Sequence, residues 1–192
     1  MKIYFDGCAK TYGAAVQHNI KQRYSTLLCD KLGAEEYNIA IAGNSNRRIV
    51  KNLIENDLSK YDLFVIQMTK RYRSPKELIS LCYLEHYNLK NLYKSRGFQN
   101  RHLLSEEEKQ QWENYYNKIY KDKMGIIDEK ISFHAIKSLL KNKKHVIIFM
   151  GNHECDVPVD FAYRKGKDYG DDFDENTHRK IYNDIMTHEN IL

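Results

Sequence analysis

Lys2-Ile3-Tyr4-Phe5-Asp6-Gly7-Cys8-Ala9-Lys10-Thr11-Tyr12-Gly13 passes from a β-type run, Lys2 to Phe5, through a small-residue turn, Asp6 to Gly13, into a helical pattern. A first strand that ends in a glycine-bounded turn ahead of a helix is how an open α/β sheet places a functional group at its carboxyl edge. The functional edge is therefore expected there. Ala9 stands where such a turn carries a nucleophile.

Working outward, the same alternation repeats. Tyr24, Leu27, Leu28 and Leu32 give helical spacing within Ala15 to Leu32, which stops at Gly33. Tyr37 to Ala42 reads as a second strand, closed by the turn residues Gly43-Asn44-Ser45-Asn46, where Ser45 or Asn46 can cap a helix striped by Ile49, Val50, Leu53, Ile54 and Leu58. Tyr61 to Met68 is nearly continuous in apolar residues, as in a strand covered on both faces. After the basic loop Thr69 to Pro75 the pattern is mostly helical. Lys90 to Gln111 is an exposed excursion or lid, Ser105 to Glu108 resembles a capping box ahead of Trp112 to Tyr120, and a further helix carries Ile126 to Leu140. His145 to Met150 is the fourth strand, Gly151 to Glu154 its turn, Val157 to Tyr163 a fifth strand or an irregular crossing, and Glu175 to Ile185 a terminal helix. This order predicts an α/β fold: a three-layer α/β/α sandwich with a mostly parallel sheet of four to five strands, in one domain over 1–192 with a helical insertion at about 76–142.

Composition agrees. The 192 residues suffice for one core, the hydrophobic fraction is 42%, and 15 Tyr against 2 Pro describe a globular chain rather than a disordered one. Net charge is +5, from 31 basic and 26 acidic residues, which permits an anionic partner without requiring one. Cys8, Cys29, Cys82 and Cys155 form no C-x-x-C pair, so neither a zinc site nor a disulfide framework is expected. No run approaches the ~20 apolar residues of a membrane span, and the N-terminus lacks a signal-peptide core. The expectation is a soluble cytoplasmic protein without a cofactor.

Three groups of residues carry the functional reading. Gly7-Cys8-Ala9-Lys10-Thr11-Tyr12-Gly13, the Asn38-x-Ala40-x-x-Gly43-x-Ser45-Asn46 stretch running into Arg47-Arg48-Ile49, and Thr69 closing the third strand together resemble the SGNH (GDSL-type) hydrolases, above all their small viral and bacterial members. The resemblance extends to about Pro75 and to the element order. It implies an esterase or acyl hydrolase whose nucleophile position is Ala9. Its oxyanion donors are the backbone there, Gly43 and, in place of an asparagine, Thr69. The general base of the family falls near Asp172, and His178 matches a second, helix-starting histidine of the relatives. Ala9 has no attacking atom and Asp172 is no imidazole. Three explanations remain open: a pseudoenzyme that keeps the site for binding, an introduced substitution, or a rewired site with Cys8 as nucleophile, against which Cys8 can simply fill the turn.

Two further patterns compete. Gly151-Asn152-His153-Glu154 resembles the metal-binding turn of metallophosphoesterases, but the D-x-H and G-D-x-x-D elements of a two-metal site do not precede it, so no metal ligands are assigned and His153 is expected to line the edge. Lys10, Arg47, Arg48, Lys51, Lys70, Arg71, Arg73 and Lys76 follow the first three strand exits, and convergent cations favour a small anionic or acylated ligand, or nucleic acid. Cys8, Lys10, Asn44, Asn46, Arg47, Arg71, Arg73 and His153 are the expected contacts. The alternative reading is of solvated loop and helix residues.

Overall fold

The run Leu63-Phe64-Val65-Ile66-Gln67-Met68-Thr69 is buried along its whole length and is the central strand of the sheet. It is β3 of five parallel strands, with β1 (Lys2–Asp6), β2 (Glu35–Asn38), β4 (Lys144–Gly151) and β5 (Phe161–Arg164), in the order β2-β1-β3-β4-β5. The computed structural model describes residues 1–42, 44–69, 107, 110, 122–151, 155–164, 174–189 and 191. Its helices are α1 (Ala9–Tyr12), α2 (Tyr24–Leu32), α3 (Asn46–Glu55), α4 (Asp122–Leu139) and α5 (Glu175–Met186), with 3-10 segments at Ala14–Gln22 and Leu58–Lys60. Lys90 to Gln111 and the helix expected through Trp112 fall almost wholly outside the described residues.

Strand alternation divides the core into two layers. Ile3, Phe5, Val65, Val146, Ile148 and Met150 pack against Tyr24, Leu28 and Cys29 of α2 and Ile181 and Ile185 of α5. Tyr4, Phe64, Ile66, Met68, Ile147 and Phe149 pack against Ile49 and Leu53 of α3 and Phe133 and Ile136 of α4. The result is the expected sandwich, with helices on both faces of a parallel sheet. No described helix is long and apolar enough to cross a membrane.

Two boundaries differ from the expectation for physical reasons. The regular part of β2 ends at Asn38, four residues before Ala42, yet the Ile39 and Ile41 N–H groups still donate to the Phe5 and Gly7 carbonyls at 3.0 and 3.4 Å, and the Ala40 N–H between them is taken by the Asn38 side-chain oxygen at 3.1 Å. The helix expected over Ala15 to Leu32 is two pieces. Asn19 lies at φ −145°, ψ 76° and Arg23 at φ −66°, ψ 133°, so the polar part is an irregular 3-10 segment and only Tyr24–Leu32 is α-helical.

The order β2-β1-β3 means that the chain leaves β1 to one side and returns to β3 on the other. The crevice outside the carboxyl ends of β1 and β3 is the place where such sheets bind ligands. Gly7 to Gly13 and Thr69 border it.

Burial separates two tests of this core. Phe64→Ala, at a fully buried ring, is expected to cost about 3–5 kcal/mol in urea unfolding. Ile54→Ala, at a side chain 65% exposed, should stay within about 0.5 kcal/mol.

Candidate active-site edge

α1 has four residues and cannot sustain itself as an isolated helix. Its N-cap residue, Cys8, provides no side-chain cap. Gln67, from the middle of the apolar β3, supplies it. The Gln67 Oε1 accepts the Thr11 hydroxyl at 2.7 Å, the Thr11 N–H at 3.2 Å and the Cys8 N–H at 3.3 Å, while its Nε2 donates to the Cys8 Sγ at 3.1 Å. Gly7 is required by this approach: a Cβ there would stand 2.5 Å from the Thr11 Oγ1 and 2.7 Å from the Gln67 Cβ. At the far end Gly13 adopts φ +84° and returns its N–H to the Ala9 and Lys10 carbonyls.

Side chains from β2 and α2 complete the hold. The Asn38 Nδ2 donates to the Thr11 carbonyl at 3.0 Å, and Arg23 donates to the Tyr12 carbonyl at 3.1 Å while paired with Glu36 at 2.8 Å. Because Thr11 gives its hydroxyl hydrogen to Gln67, the 2.8 Å contact between the Thr11 and Tyr24 hydroxyls is donated by Tyr24. Ala9 opens α1 half-buried, and its N–H is a first-turn donor that no intrahelical carbonyl can take.

Thr69 ends β3 on the same side of the sheet as Gln67. Its backbone is clamped by Asn46, whose Oδ1 accepts the Thr69 N–H at 2.8 Å and whose Nδ2 donates to the Thr69 carbonyl at 3.0 Å. The Thr69 hydroxyl is buried and has no hydrogen-bond partner among the described residues. A buried hydroxyl left open at a strand exit is available to a ligand oxygen or a water.

Several residues expected to contact a ligand serve the scaffold instead. Cys8 is buried against Gln67, with its thiol turned inward, which removes it from the line of attack. Asn44 is buried and spends its Nδ2 on Asp6 and the Gly7 carbonyl. Asn46 holds Thr69. Arg47 pairs with Asp128 of α4 at 2.6 Å, and Lys51 with Glu55 at 3.7 Å, so these two do not make a free basic rim. Lys10 is half-buried beside Ala9. Gly43, Arg71, Arg73, Asn152, His153 and Asp172 lie outside the described residues.

His178, assigned to the catalytic set from sequence, is a fully buried clamp between α5 and α2. Its Nδ1 accepts the Tyr24 N–H at 3.2 Å and its ring stacks on Tyr24 at 5.9 Å between centroids. Burial, assisted by the Lys10 and Arg23 charges, pushes its pKa down to about 4. It is neutral at pH 7.

The sequence reading passed over Gln67 and Asp6. Each is a fully buried polar side chain in an otherwise apolar strand, and that break in a continuous apolar run was the available signal. Asp6 accepts from Gly7, Asn44, Asn52 and Tyr4; burial drives its pKa up to about 7, while the Asn52 and Gly7 donors and Arg48 restrain the rise.

In class, then, the chain is a doubly wound α/β protein with a preformed turn at its switch point. No protein-family model matches it, and no curated protein sequence does. Among solved structures it is similar to one described as a G-D-S-L family lipolytic protein from Desulfitobacterium hafniense, at 9% identity over 95% of this chain and 67% of that one, with a TM-score of 0.39. A GDSL-like lipase structure from Parabacteroides merdae shares 12% identity over 95% of this chain and 74% of that one, TM-score 0.40. Phospholipase A1 from Streptomyces albidoflavus shares 9% over 95% and 70%, TM-score 0.39. Identities of this size transfer no residue's role.

Two outcomes test the geometry. Gln67→Met keeps the volume but removes the shared acceptor, leaving two buried backbone N–H groups open; a loss of at least ~2 kcal/mol in denaturant unfolding is expected. His178 binds fewer protons folded than unfolded between pH 4 and 6.5. Its contribution is therefore fully present above pH 6.5 and is lost as the pH falls towards 4, with a slope of at most about 1.4 kcal/mol per pH unit. The stability difference between wild type and His178→Asn should shrink over that window.

Proposed function

We propose that this chain is an SGNH-type scaffold whose crevice, between the exits of β1 and β3, binds an acyl or carbonyl-bearing ligand without hydrolysing it by a serine route. The observation that carries the reading is the α1 turn. Gln67, Asn38, Tyr24 and Arg23 hold a four-residue helix in a fixed pose with the Ala9 N–H at the β1 exit, and Asn46 holds Thr69, with its open hydroxyl, at the neighbouring β3 exit. Preorganised donors of this kind recognise a ligand oxygen whether or not a nucleophile follows. Ala9 cannot attack, Cys8 faces inward, and His178 is buried; these three support binding over turnover.

A nucleic-acid or strongly anionic ligand is the weaker reading, since Arg47 and Lys51 are neutralised within the chain. Cytoplasmic residence, which the unpaired cysteine spacing supports, and a viral or bacterial source, which rests on the sequence resemblance, are part of the same proposal.

The test compares wild type with Ala9→Ser and Thr69→Val. Wild type should leave a short-chain aryl ester intact above the buffer rate while showing saturation transfer to it in ligand-observed NMR, and Thr69→Val should weaken that binding about 5- to 10-fold, the size of one neutral hydrogen bond. Turnover by wild type overturns the inert reading, and absence of ester binding at millimolar concentration overturns the binding one. Turnover that appears in Ala9→Ser identifies a disabled hydrolase; turnover absent from both, with binding retained, marks a binding protein whose base has also been lost.

A further inference from the structure

On the α3 side of the sheet, directly behind the crevice, sits a carboxyl group that the ligand reading does not use. Asp6 is fully buried at the end of β1. Its Oδ1 accepts the Gly7 N–H at 2.7 Å and the Asn44 Nδ2 at 3.0 Å; its Oδ2 accepts the Asn52 Nδ2 at 2.8 Å and, at 3.5 Å, the Tyr4 hydroxyl. The Gly7 N–H and the Asn44 and Asn52 amide groups can only donate, while the Tyr4 hydroxyl donates here and can also accept. An ionised carboxylate takes all four, whereas a protonated one carries a hydrogen that faces donors and must release or reorient a contact.

Asn44 is the contact with consequences. Its Nδ2 also donates to the Gly7 carbonyl at 2.9 Å, its Oδ1 accepts the Ser45 N–H at 3.0 Å, and its own N–H closes on the Ile41 carbonyl at 3.1 Å. Ser45 in turn caps α3 through the Arg48 N–H at 3.2 Å. The segment that runs from β2 into α3 is fastened to the β1 exit by the Asn44 side chain, which Asp6 holds, and by the Ile41 N–H on the Gly7 carbonyl at 3.4 Å, while Asn46 ties its far end to Thr69.

We propose that Asp6 is a positioning residue acting as a proton-operated latch: ionised, it holds the Asn44 side chain and steadies the segment entering α3 at the crevice, and protonation frees that side chain and loosens the segment around Asn44. Two opposed forces bring the switch near neutral pH. Burial disfavours the charge and raises the carboxyl to about 7, and the donors limit the rise. Among the described residues, the titratable or charged groups that act on Asp6 are Tyr4 from its own strand and Arg48 from α3. β3 opposes Asp6 with Ile66, and the segment before α3 with Asn44, neither of which titrates. Arg48 acts on Asp6 as a nearby positive charge, and its Nε is buried with no hydrogen-bond partner among the described residues. The latch does not depend on which ligand the crevice takes.

NMR of the isotopically labelled full chain between pH 5 and 9 tests it. The Asp6 side-chain carbon, the Gly7 N–H and the Asn44 and Asn52 amide groups should titrate with one midpoint near 7. Hydrogen exchange at the Asn44 N–H, corrected for the intrinsic effect of pH, should be at least about tenfold faster on the acid side, as a released local contact requires. Arg48→Gln and Asn52→Leu each remove something that favours the anion and should raise the midpoint. The proposal is overturned if Asp6 stays ionised down to pH 5, if it titrates while Asn44 neither shifts nor exchanges faster, or if both variants leave the midpoint unchanged. Should a variant fail to fold, the wild-type titration decides by itself.

Discussion

One carboxamide oxygen holds the functional edge in place. Gln67 lies on the central strand, and the helix it caps belongs to the first turn of the chain, with its acceptor contacts 56 and 59 residues apart in sequence. The turn after β1 therefore has no reason to adopt its final form until β1 and β3 have paired, since α1 lacks both the length and the local cap to form first. The apolar register of Ile3 with Leu63, Tyr4 with Phe64 and Phe5 with Val65 places Gln67 under Cys8 and Thr11. Hydrophobic pairing sets the distance; the hydrogen bonds then fix the pose. An unpaired Gln67 in that position would cost several of the contacts that make burying it tolerable.

The crevice is backed by two polar networks, one on each face of the sheet. On the α2 and α5 face, Gln67, Thr11 and Tyr24 lead to His178, kept neutral by burial. On the α3 face, Asp6 gathers Gly7, Asn44 and Asn52. Their pH dependences have opposite signs. Asp6 binds its proton more tightly folded than unfolded, so its contribution to stability declines between pH 4 and 7, while that of His178 grows from pH 4 to 6.5. The two partly cancel in any global measurement, which is why residue-resolved observation is needed to see either.

Much of the architecture was legible in the sequence. Continuous apolar runs at Tyr61 to Met68 and His145 to Met150 could only be strands covered on both faces, and the glycine after Leu32 marked the end of α2. What escaped was decided by side chains that bond to backbone. The Asn38 side chain takes the Ala40 N–H while Ile39 and Ile41 go on donating to the β1 side, and a run of polar residues before Tyr24 gives a 3-10 segment where helical spacing alone suggested a helix. At the edge, the places of Ala9 and Thr69 at the exits of β1 and β3 followed from position along the strands. The inward turn of Cys8, the engagement of Asn44 and Asn46, and the pairing of Arg47 with Asp128 did not, because residue type says that a group is polar and not which way it is spent.

The Ala9 methyl belongs to neither network. Among the described residues, the hydrogen bonds that shape its turn run through the backbone from Cys8 to Gly13, the Thr11 hydroxyl and the Cys8 thiol, and none uses the Ala9 side chain. Position 9 is consequently a place where substitution is almost invisible to folding. Selection for a folded chain has little purchase on it, so the residue at this edge can change in a single nucleotide step while the frame around it stays as it is.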